Sequence, residues 1–546
     1  MHRIFLFLFV SLIAFNSACD DDQTTDSCGD NLLDPGEECD TLKFGGATCE
    51  NLGLSSGNLA CSSDCKIITD GCNGECGNGI LEEGETCDGT DLPVTACADL
   101  DDYNYTGGTL SCKSDCTWDF TQCNSAECGN NIIDTTEECD GDDLQGVTCE
   151  TLGYSGGTVS CHPTNCLIDS SDCHYTFRAI YAGYKHTCAI DYRNRVWCWG
   201  KNTAGFLLTN TGGFLGDGTE IDRPYPVEAQ FPAGVEIVKV SPGIGHTCAL
   251  DTVGKVWCWG NNAQGQLGTG DNIMSAVPVE IVEVQDAGNT VVFTDVDSGA
   301  NHSCALAQNN DVWCWGSNGQ KQLGVLVMEA SSNIPVKAAG TAEVLEAGGY
   351  FNCYINEFNE TWCWGNNISA ELGIGVVWGE YEVPQLNDAT ALEVISCGGG
   401  HSCGKDVDNT WVCWGFNNKG QIGSGSTANK ISSPEAVQIP QGVTFTMVIP
   451  GAQDHTCAID TLGRIFCWGF NEFGKLGDGT IVDSGLPKLV LTSGQTAFTA
   501  VAASAFSTCA IDTDGNAWCW GGNDSGQLGD NTTTDSFIPV PVIMPR

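Results

Sequence analysis

Seven times along its C-terminal two-thirds the chain repeats one alternation of apolar and polar positions. A run such as His-Thr-Cys-Ala-Ile-Asp is followed by a short polar gap and then by Val-Trp-Cys-Trp-Gly. The copies open at His186, His246, His302, Phe351, His401, His455 and Ser507. Two alternating runs around a short gap predict an antiparallel hairpin. Six residues after the leading Cys stand Asn194, Gly254, Asn310, Asn359, Asn409, Gly463 and Gly515. Gly and Asn are the residues that best tolerate a left-handed backbone. The gap therefore predicts a three-residue loop, a type I turn closed by a left-handed residue in a G1 bulge.

That loop fixes the register. With Tyr192, Arg193 and Asn194 as the loop, Ile190 faces Val196, Ala189 faces Trp197 and Cys188 faces Cys198. The Cys pair falls at a non-hydrogen-bonded position, where Cα atoms lie about 4.5 Å apart and a disulfide fits. The same spacing gives Cys248–Cys258, Cys304–Cys314, Cys353–Cys363, Cys403–Cys413, Cys457–Cys467 and Cys509–Cys519. Each staple is expected to contribute roughly 2–3 kcal/mol. Alternation places thirteen of the fifteen Trp on the strand after the loop, facing away from the Cys and into a core; Trp118 and Trp378 stand outside the pattern.

The repeat resembles the RCC1-like repeat, whose pattern reads G-x-x-H-[ST]-x-A-[LI], a turn, V-x-x-W-G-x-N, and then G-Q-L-G. Gly265-Gln266-Leu267-Gly268 and Gly526-Gln527-Leu528-Gly529 match its close. The resemblance covers residues 178–546 and implies an all-β fold: a seven-bladed β-propeller of four-stranded blades closed into a ring. Departures are local, with Phe351 and Ser507 in place of His and a first Trp shifted to Trp411. RCC1-like propellers bind proteins. Examples include a nucleotide exchanger for a small GTPase and an exported bacterial inhibitor of β-lactamase.

A second repeat precedes the propeller in three units, 28–75, 76–127 and 128–174, each with six Cys. They open alike, as CGDNLLDPGEECD, CGNGILEEGETCD and CGNNIIDTTEECD. Units of this size bury too little apolar surface unaided, so a loop-rich, disulfide-stapled structure is expected, with fifteen possible pairings per unit left open. These openings resemble the cysteine-rich repeats of myxobacterial cell-surface proteins. The gaps are too long for zinc. Calcium remains a lesser expectation for the acidic loops, which lack the EF-hand register.

Composition adds the compartment. Thirty-four Cys suit an oxidising space. Met1-His2-Arg3, the apolar stretch Ile4 to Phe15 and Ser17-Ala18-Cys19 read as a signal peptide over 1–18. Cys19 is the expected lipidation site of a bacterial lipoprotein, with 19–27 as its tether. Asn16 departs from the usual aliphatic residue of that motif. Eighteen Cys in the first repeats and fourteen in the hairpins leave Cys19 and Cys397, so Cys397 is the expected free thiol. The 70 Asp and Glu against 21 Lys and Arg argue against a nucleic-acid partner, because phosphate binding needs cations.

Chemistry is sparse. The five propeller histidines hold one repeat position, so they are read as architecture. No nucleophile elbow, zinc-protease pair or phosphate loop appears, and no acid pair stands out from the repeat. No catalytic residue, metal ligand or cofactor is assigned. Function is expected in the variable loops Leu207–Asp222, Asp271–Val277, Val325–Ile334, Val376–Pro384 and Ser424–Pro434, with Trp378 as a possible ligand anchor. The resulting expectation is an exported, membrane-tethered interaction module that binds an extracellular protein or glycan without catalysis. The alternatives are an inhibitor of a secreted hydrolase, a polysaccharide-active enzyme and a calcium-stabilised coat protein.

Overall fold

The computed structural model describes residues 36–52, 56–69, 72–73, 81, 85–90, 92–100, 105–125, 133, 137–203, 212–326, 329–389, 391–492, 494 and 496–544. The signal segment, Cys19, Cys28, Cys76, Cys128 and the first part of the Leu207–Asp222 loop lie outside them. The chain divides into two compact units, Met1–Gly146 with Ser160–Asp169, and Val147–Val159 with Ser170–Arg546.

In the first unit, short ribbons carry the cysteines, such as Ala60–Cys61 paired with Ile67–Ile68. The second Cys of each repeat bonds the fourth: Cys39–Cys61, Cys87–Cys112 and Cys139–Cys161. The third bonds the sixth, as in Cys97–Cys123, and the same rule gives Cys149–Cys173 within the second unit. Trp118, outside the propeller pattern, is buried with Cys87, Cys97 and Leu110 in the small core of the second repeat.

The second unit holds seven four-stranded antiparallel sheets, each made of strands consecutive in sequence. Blade 1 is Phe177–Ala182, His186–Asp191, Val196–Gly200 and Arg223–Glu228. Its hairpin has the expected register, with Cys188 opposite Cys198, Ala189 opposite Trp197 and Ile190 opposite Val196. Asn194 closes the turn at φ 62°, and Gly254, Asn310, Asn359, Asn409, Gly463 and Gly515 are left-handed likewise. Asp191 stabilises the turn from inside by accepting the Arg193 and Arg195 amides on Oδ1 and the Trp197 indole N–H on Oδ2. All seven expected bridges are present, each with Cα atoms 4.1 Å apart.

Both faces of a blade are buried because blades stack. The Cys face of one meets the Trp face of the next: Cys188 and Cys198 pack with Trp257 and Trp259. Blade 7 repeats the contact on blade 1, where Cys509 and Cys519 lie with Trp197 and Trp199, and that contact closes the ring.

The first-to-second-strand turns add a belt of backbone hydrogen bonds. Tyr184 N donates to Gly243 O, Ile244 N to Ala300 O, Ala300 N to Gly349 O, Gly349 N to Gly398 O, Gly399 N to Gly451 O, Ala452 N to Ala503 O and Ala505 N to Tyr184 O. The circuit is complete. Glycine is required where the turns touch: a Cβ on Gly299 would stand 2.5 Å from Gly348 O. Strand order places these turns and the third-to-fourth-strand loops on one face of the ring, and the hairpin turns on the other.

Candidate functional site

The innermost strands enclose an axial channel of about 820 Å³. Seven residues share one register around it, each opposite the leading Cys of its blade: Tyr181, Ser241, Asp297, Glu346, Ser396, Ile449 and Ala502. Two residues further from the turn belt, Lys239 and Asp295 occupy equivalent sites in blades 2 and 3. The wall is therefore divided. Blades 1 to 4 contribute Arg178, Lys239, Asp297 and Glu346, two cations against two carboxyl groups, while blades 6, 7 and 1 contribute Met447, Ile449, Ala500, Ala502 and Tyr181.

The charged quadrant is tightly bonded. Lys239 Nζ lies 2.6 Å from Asp295 Oδ1. Asp297 Oδ1 accepts from Ser241 Oγ at 2.5 Å and from Ser298 N at 3.0 Å, and Oδ2 accepts from Ala347 N at 2.7 Å. These contacts bridge blades 2, 3 and 4 across edge strands that would otherwise leave amides unpaired. Burial works against the Lys239 ammonium, but the charges of Asp297, Asp295 and Glu346 outweigh it and hold its pKa above the ordinary value. Burial pushes Glu346 up to about 8, reinforced by Asp297 and opposed by Lys239. Burial raises Asp297 as well.

These acids are singular, and the sequence reading missed them. They lie on the innermost strand, which carries no part of the repeat motif, and the ring joins positions about fifty residues apart.

The histidines are architectural. His186 Nε2 donates to Thr247 Oγ1 of the next blade at 2.9 Å, and that hydroxyl donates onward to Phe214 O at 3.1 Å. His246 to Ser303, His302 to Asn352, His401 to Thr456 and His455 to Thr508 repeat the contact. Burial lowers their pKa values, to about 4 for His186 and about 3 for His246, so the rings stay neutral. The indole N–H of the following blade shares the same carbonyl, as Trp259 does with Phe214 O at 2.8 Å.

Trp378 sits on the face that carries the third-to-fourth-strand loops. It is 63% exposed, with Val376, Val377 and Ile368 exposed beside it. Its backbone is left-handed at φ 77°, held by a Trp378 N to Asn367 O bond of 2.8 Å. Lys430 Nζ stands 4.0 Å over the ring. Ile221, Ile273, Leu326 and Ile481, from other loops of this set, are exposed too. The opposite face is partly covered at blade 1, where Arg193 donates to Glu150 O and Arg195 to Gly153 O.

Cys397 is the free thiol among the described residues and lines the channel. For calcium, one group of acidic and sulfur ligands among the described residues lies close enough to share an ion: Glu85, Asp88 and Cys116. Cys116 is disulfide-bonded, which removes it as a thiolate ligand.

The profile of the RCC1-like domain matches residues 145–496, and RCC1 repeat profiles match 498–527 and 514–546. The chain belongs to the RCC1-like domain family. Among its relatives, the Ultraviolet-B receptor UVR8 of Arabidopsis thaliana is 26% identical over 67% of this chain and 70% of that protein. The human E3 ubiquitin-protein ligase HERC2 is 28% identical over 31% of this chain but only 3% of that protein. Yeast RCC1 (Prp20), solved bound to Kap60, superposes with a TM-score of 0.55 at 20% identity, over 68% of this chain and 85% of that one. Human WBSCR16 superposes with a TM-score of 0.55 at 19% identity, over 64% and 94%. These structural likenesses establish the RCC1-like fold.

Proposed function

We propose that this RCC1-like propeller is an exported interaction module that binds a protein through its third-to-fourth-strand loops, with Trp378 as the anchor. The observation that carries the reading is Trp378 itself: a large aromatic ring held exposed, on a backbone that bulky residues rarely adopt. Strain of that kind persists where surrounding structure enforces it, and exposed Trp is the side chain most enriched at binding hot spots. The exposed apolar residues on neighbouring loops of the same face extend the contact area. UVR8 as a receptor and yeast RCC1 in its complex with Kap60 fit a binding role for such propellers. Export is supported by the bridges themselves, which persist in oxidising compartments.

Photo-crosslinkers placed at Ile273 and Ile481 on the loop face, and at Val253 and Leu462 on the hairpin face, test the reading against a native extracellular protein extract. Capture of one discrete protein from the loop face only, lost in Trp378→Ala, is the expected result. Capture from the hairpin face, or capture unchanged in Trp378→Ala, would overturn it.

A further inference from the structure

The seventh joint of the ring lacks the part that fills the other six. Between consecutive blades a linker runs from the fourth strand of one to the first strand of the next, and its apolar residues pack into the joint. Ala229, Phe231 and Val235 do this between blades 1 and 2, with Phe231 5.6 Å from the Trp259 ring. Blades 7 and 1 lie at opposite ends of the propeller sequence, and every sheet is built from consecutive strands. Neither a linker nor a shared strand crosses their joint. Val542 and Met544, just after blade 7, fill part of it. A propeller stays closed only while every joint holds, and local opening starts where the fewest groups are tied.

The end of the third cysteine-rich repeat supplies the rest. Two of its segments, Val147–Val159 and 170–176, belong to the compact unit of the propeller. They pair at Gly156 and His174, whose amides and carbonyls bond each other at 2.9 Å in both directions. Cys149–Cys173 joins them covalently. Gly157, at φ 99°, has to be glycine, because a Cβ there would collide with Asp172 O of the facing segment. Tyr175 is thereby delivered to the joint. Its ring lies 4.7 Å from Trp197 of blade 1, in the cluster that holds Cys509 and Cys519 of blade 7, and Tyr154 backs it at 5.1 Å.

The two segments are fixed to both blades. On blade 1, Arg193 donates to Glu150 O at 3.0 Å and Arg195 to Gly153 O at 2.8 Å, and the Arg195 guanidinium lies 5.2 Å from the Tyr175 ring centre. No other hairpin carries arginine at both of these positions. On blade 7, Gly515 O accepts from Phe177 N at 2.7 Å. Thr176 packs on the same turn, where a Cβ on Gly515 would stand 2.8 Å from its own. Ser155 holds Thr176 from behind, its Oγ accepting from Thr176 N at 2.6 Å. We propose that these two segments are a strap that closes the ring, doing at the seventh joint what a linker does at the others, with Cys149–Cys173 as its fastening. The folding unit of the propeller then begins at Val147, inside the cysteine-rich region. The strap sets how easily blades 7 and 1 part, and it is independent of binding at the loop face.

Amide hydrogen exchange on the full chain, read peptide by peptide, tests this with two matched bridge removals. Cys149→Ser with Cys173→Ser unfastens the strap, while Cys97→Ser with Cys123→Ser removes the same third-to-sixth bridge from the second repeat. The two loops span 24 and 26 positions, so each repeat loses a similar constraint. In the strap variant, exchange should quicken at least about tenfold in Phe177–Ala182 of blade 1 and Ser507–Asp512 of blade 7. It should stay at parent rates in Val344–Ala347 and Phe351–Ile355 of blade 4, which stands across the ring. The second-repeat variant should leave all four strands at parent rates. Tyr154→Ala keeps every bridge and should reproduce the strap pattern at smaller amplitude; where the strap variant fails to fold, it decides alone. Parent rates at the joint, an equal rise in the second-repeat variant, or an equal rise in blade 4 would each overturn the proposal.

Discussion

Ser402 turns its hydroxyl to Cys397 Sγ, 3.6 Å away on its own blade, and not to the neighbouring blade. The cause lies one blade back, where Phe351 replaces the histidine of the repeat. Elsewhere a His Nε2–H fills the acceptor side of the equivalent side chain, as His401 does for Thr456 at 2.8 Å, leaving its hydrogen for the loop carbonyl, Gln421 O, at 2.7 Å. After blade 7, with Ser507 in the His position, Thr187 stays turned to the neighbouring blade and lies against Cys509 Sγ at 3.7 Å, a contact that Ser303 and Thr508 also make with Cys248 and Cys457. The histidine thus orients a hydroxyl that ties two blades together.

His246→Phe should therefore preserve the ring, because Phe351 already fills that position fully buried in blade 4. It should destabilise the propeller by about 1 kcal/mol, the net worth of one hydrogen bond, because the Ser303 hydroxyl keeps its bond to Gln266 O. Denaturant unfolding of the variant against the parent chain measures it, and an unchanged midpoint would mean that Ser303 gains nothing from the bond.

The same histidines set an acid limit. Burial lowers their pKa values in the folded state, to about 4 for His302 and about 3 for His401, so the unfolded chain binds more protons below the ordinary histidine value of about 6.5. Stability is then fully present above that value and is lost as pH falls toward the folded pKa values. Glu346 acts in the opposite sense. Its pKa of about 8 in the folded state exceeds the ordinary carboxylate value, so stability falls as pH rises from about 4.5 through 8. Melting midpoints measured across pH should pass through a maximum near neutrality. Glu346→Gln should flatten the alkaline limb and leave the acid limb in place.

The hairpins, their register and all seven bridges were legible in the sequence because they are local: a ten-position spacing and a turn residue decide them. The histidines were read as architecture from their repetition, and their buried, neutral, blade-to-blade geometry bears this out. The channel was not legible. Lys239, Asp297 and Glu346 belong to edge strands outside the motif, and only closure of the ring brings them together. The pairing in the cysteine-rich repeats was equally hidden, since second-to-fourth and third-to-sixth bonds depend on how short ribbons cross and not on spacing.

Removing one staple gives a clean measure of what it contributes. Cys248→Ser with Cys258→Ser opens a loop of ten positions, and should cost about 2–3 kcal/mol by chain entropy. The two new hydroxyls lie where the parent sulfurs are fully buried, and satisfying them poorly would add to the loss. The register survives, because the G1 turn at Gly254 and the flanking Trp packing are untouched. Unfolding midpoints and circular dichroism of the double variant check both statements.

Cys397 should be a slow thiol. Burial, reinforced by the Glu346 and Asp297 charges, raises its pKa well above the ordinary value, and the thiolate is the form that reacts. Iodoacetamide at neutral pH should leave it unmodified on a timescale that labels an unfolded cysteine fully. Glu346→Gln should change the rate little at neutral pH, where a carboxyl with a pKa of about 8 is mostly protonated, and should speed it above pH 8 by removing a neighbouring negative charge. Equal rates in the folded and unfolded chain would show that the channel wall does not suppress its ionisation.

Trp378→Gly separates strain from binding. Glycine adopts φ 77° without a Cβ penalty, so the substitution should relieve about 1 kcal/mol of backbone strain. Against this stands the loss of Lys430 over the indole ring at 4.0 Å, an exposed contact worth about 0.5–1 kcal/mol. The net change in stability should lie between zero and a gain of about 0.5 kcal/mol, while crosslinking to a partner through the loop face should disappear. That combination, a side chain whose removal leaves the fold as stable or more stable and abolishes recognition, is what a residue retained for contact with another molecule must show. A loss of stability larger than about 1 kcal/mol would instead make the indole part of the blade's own packing.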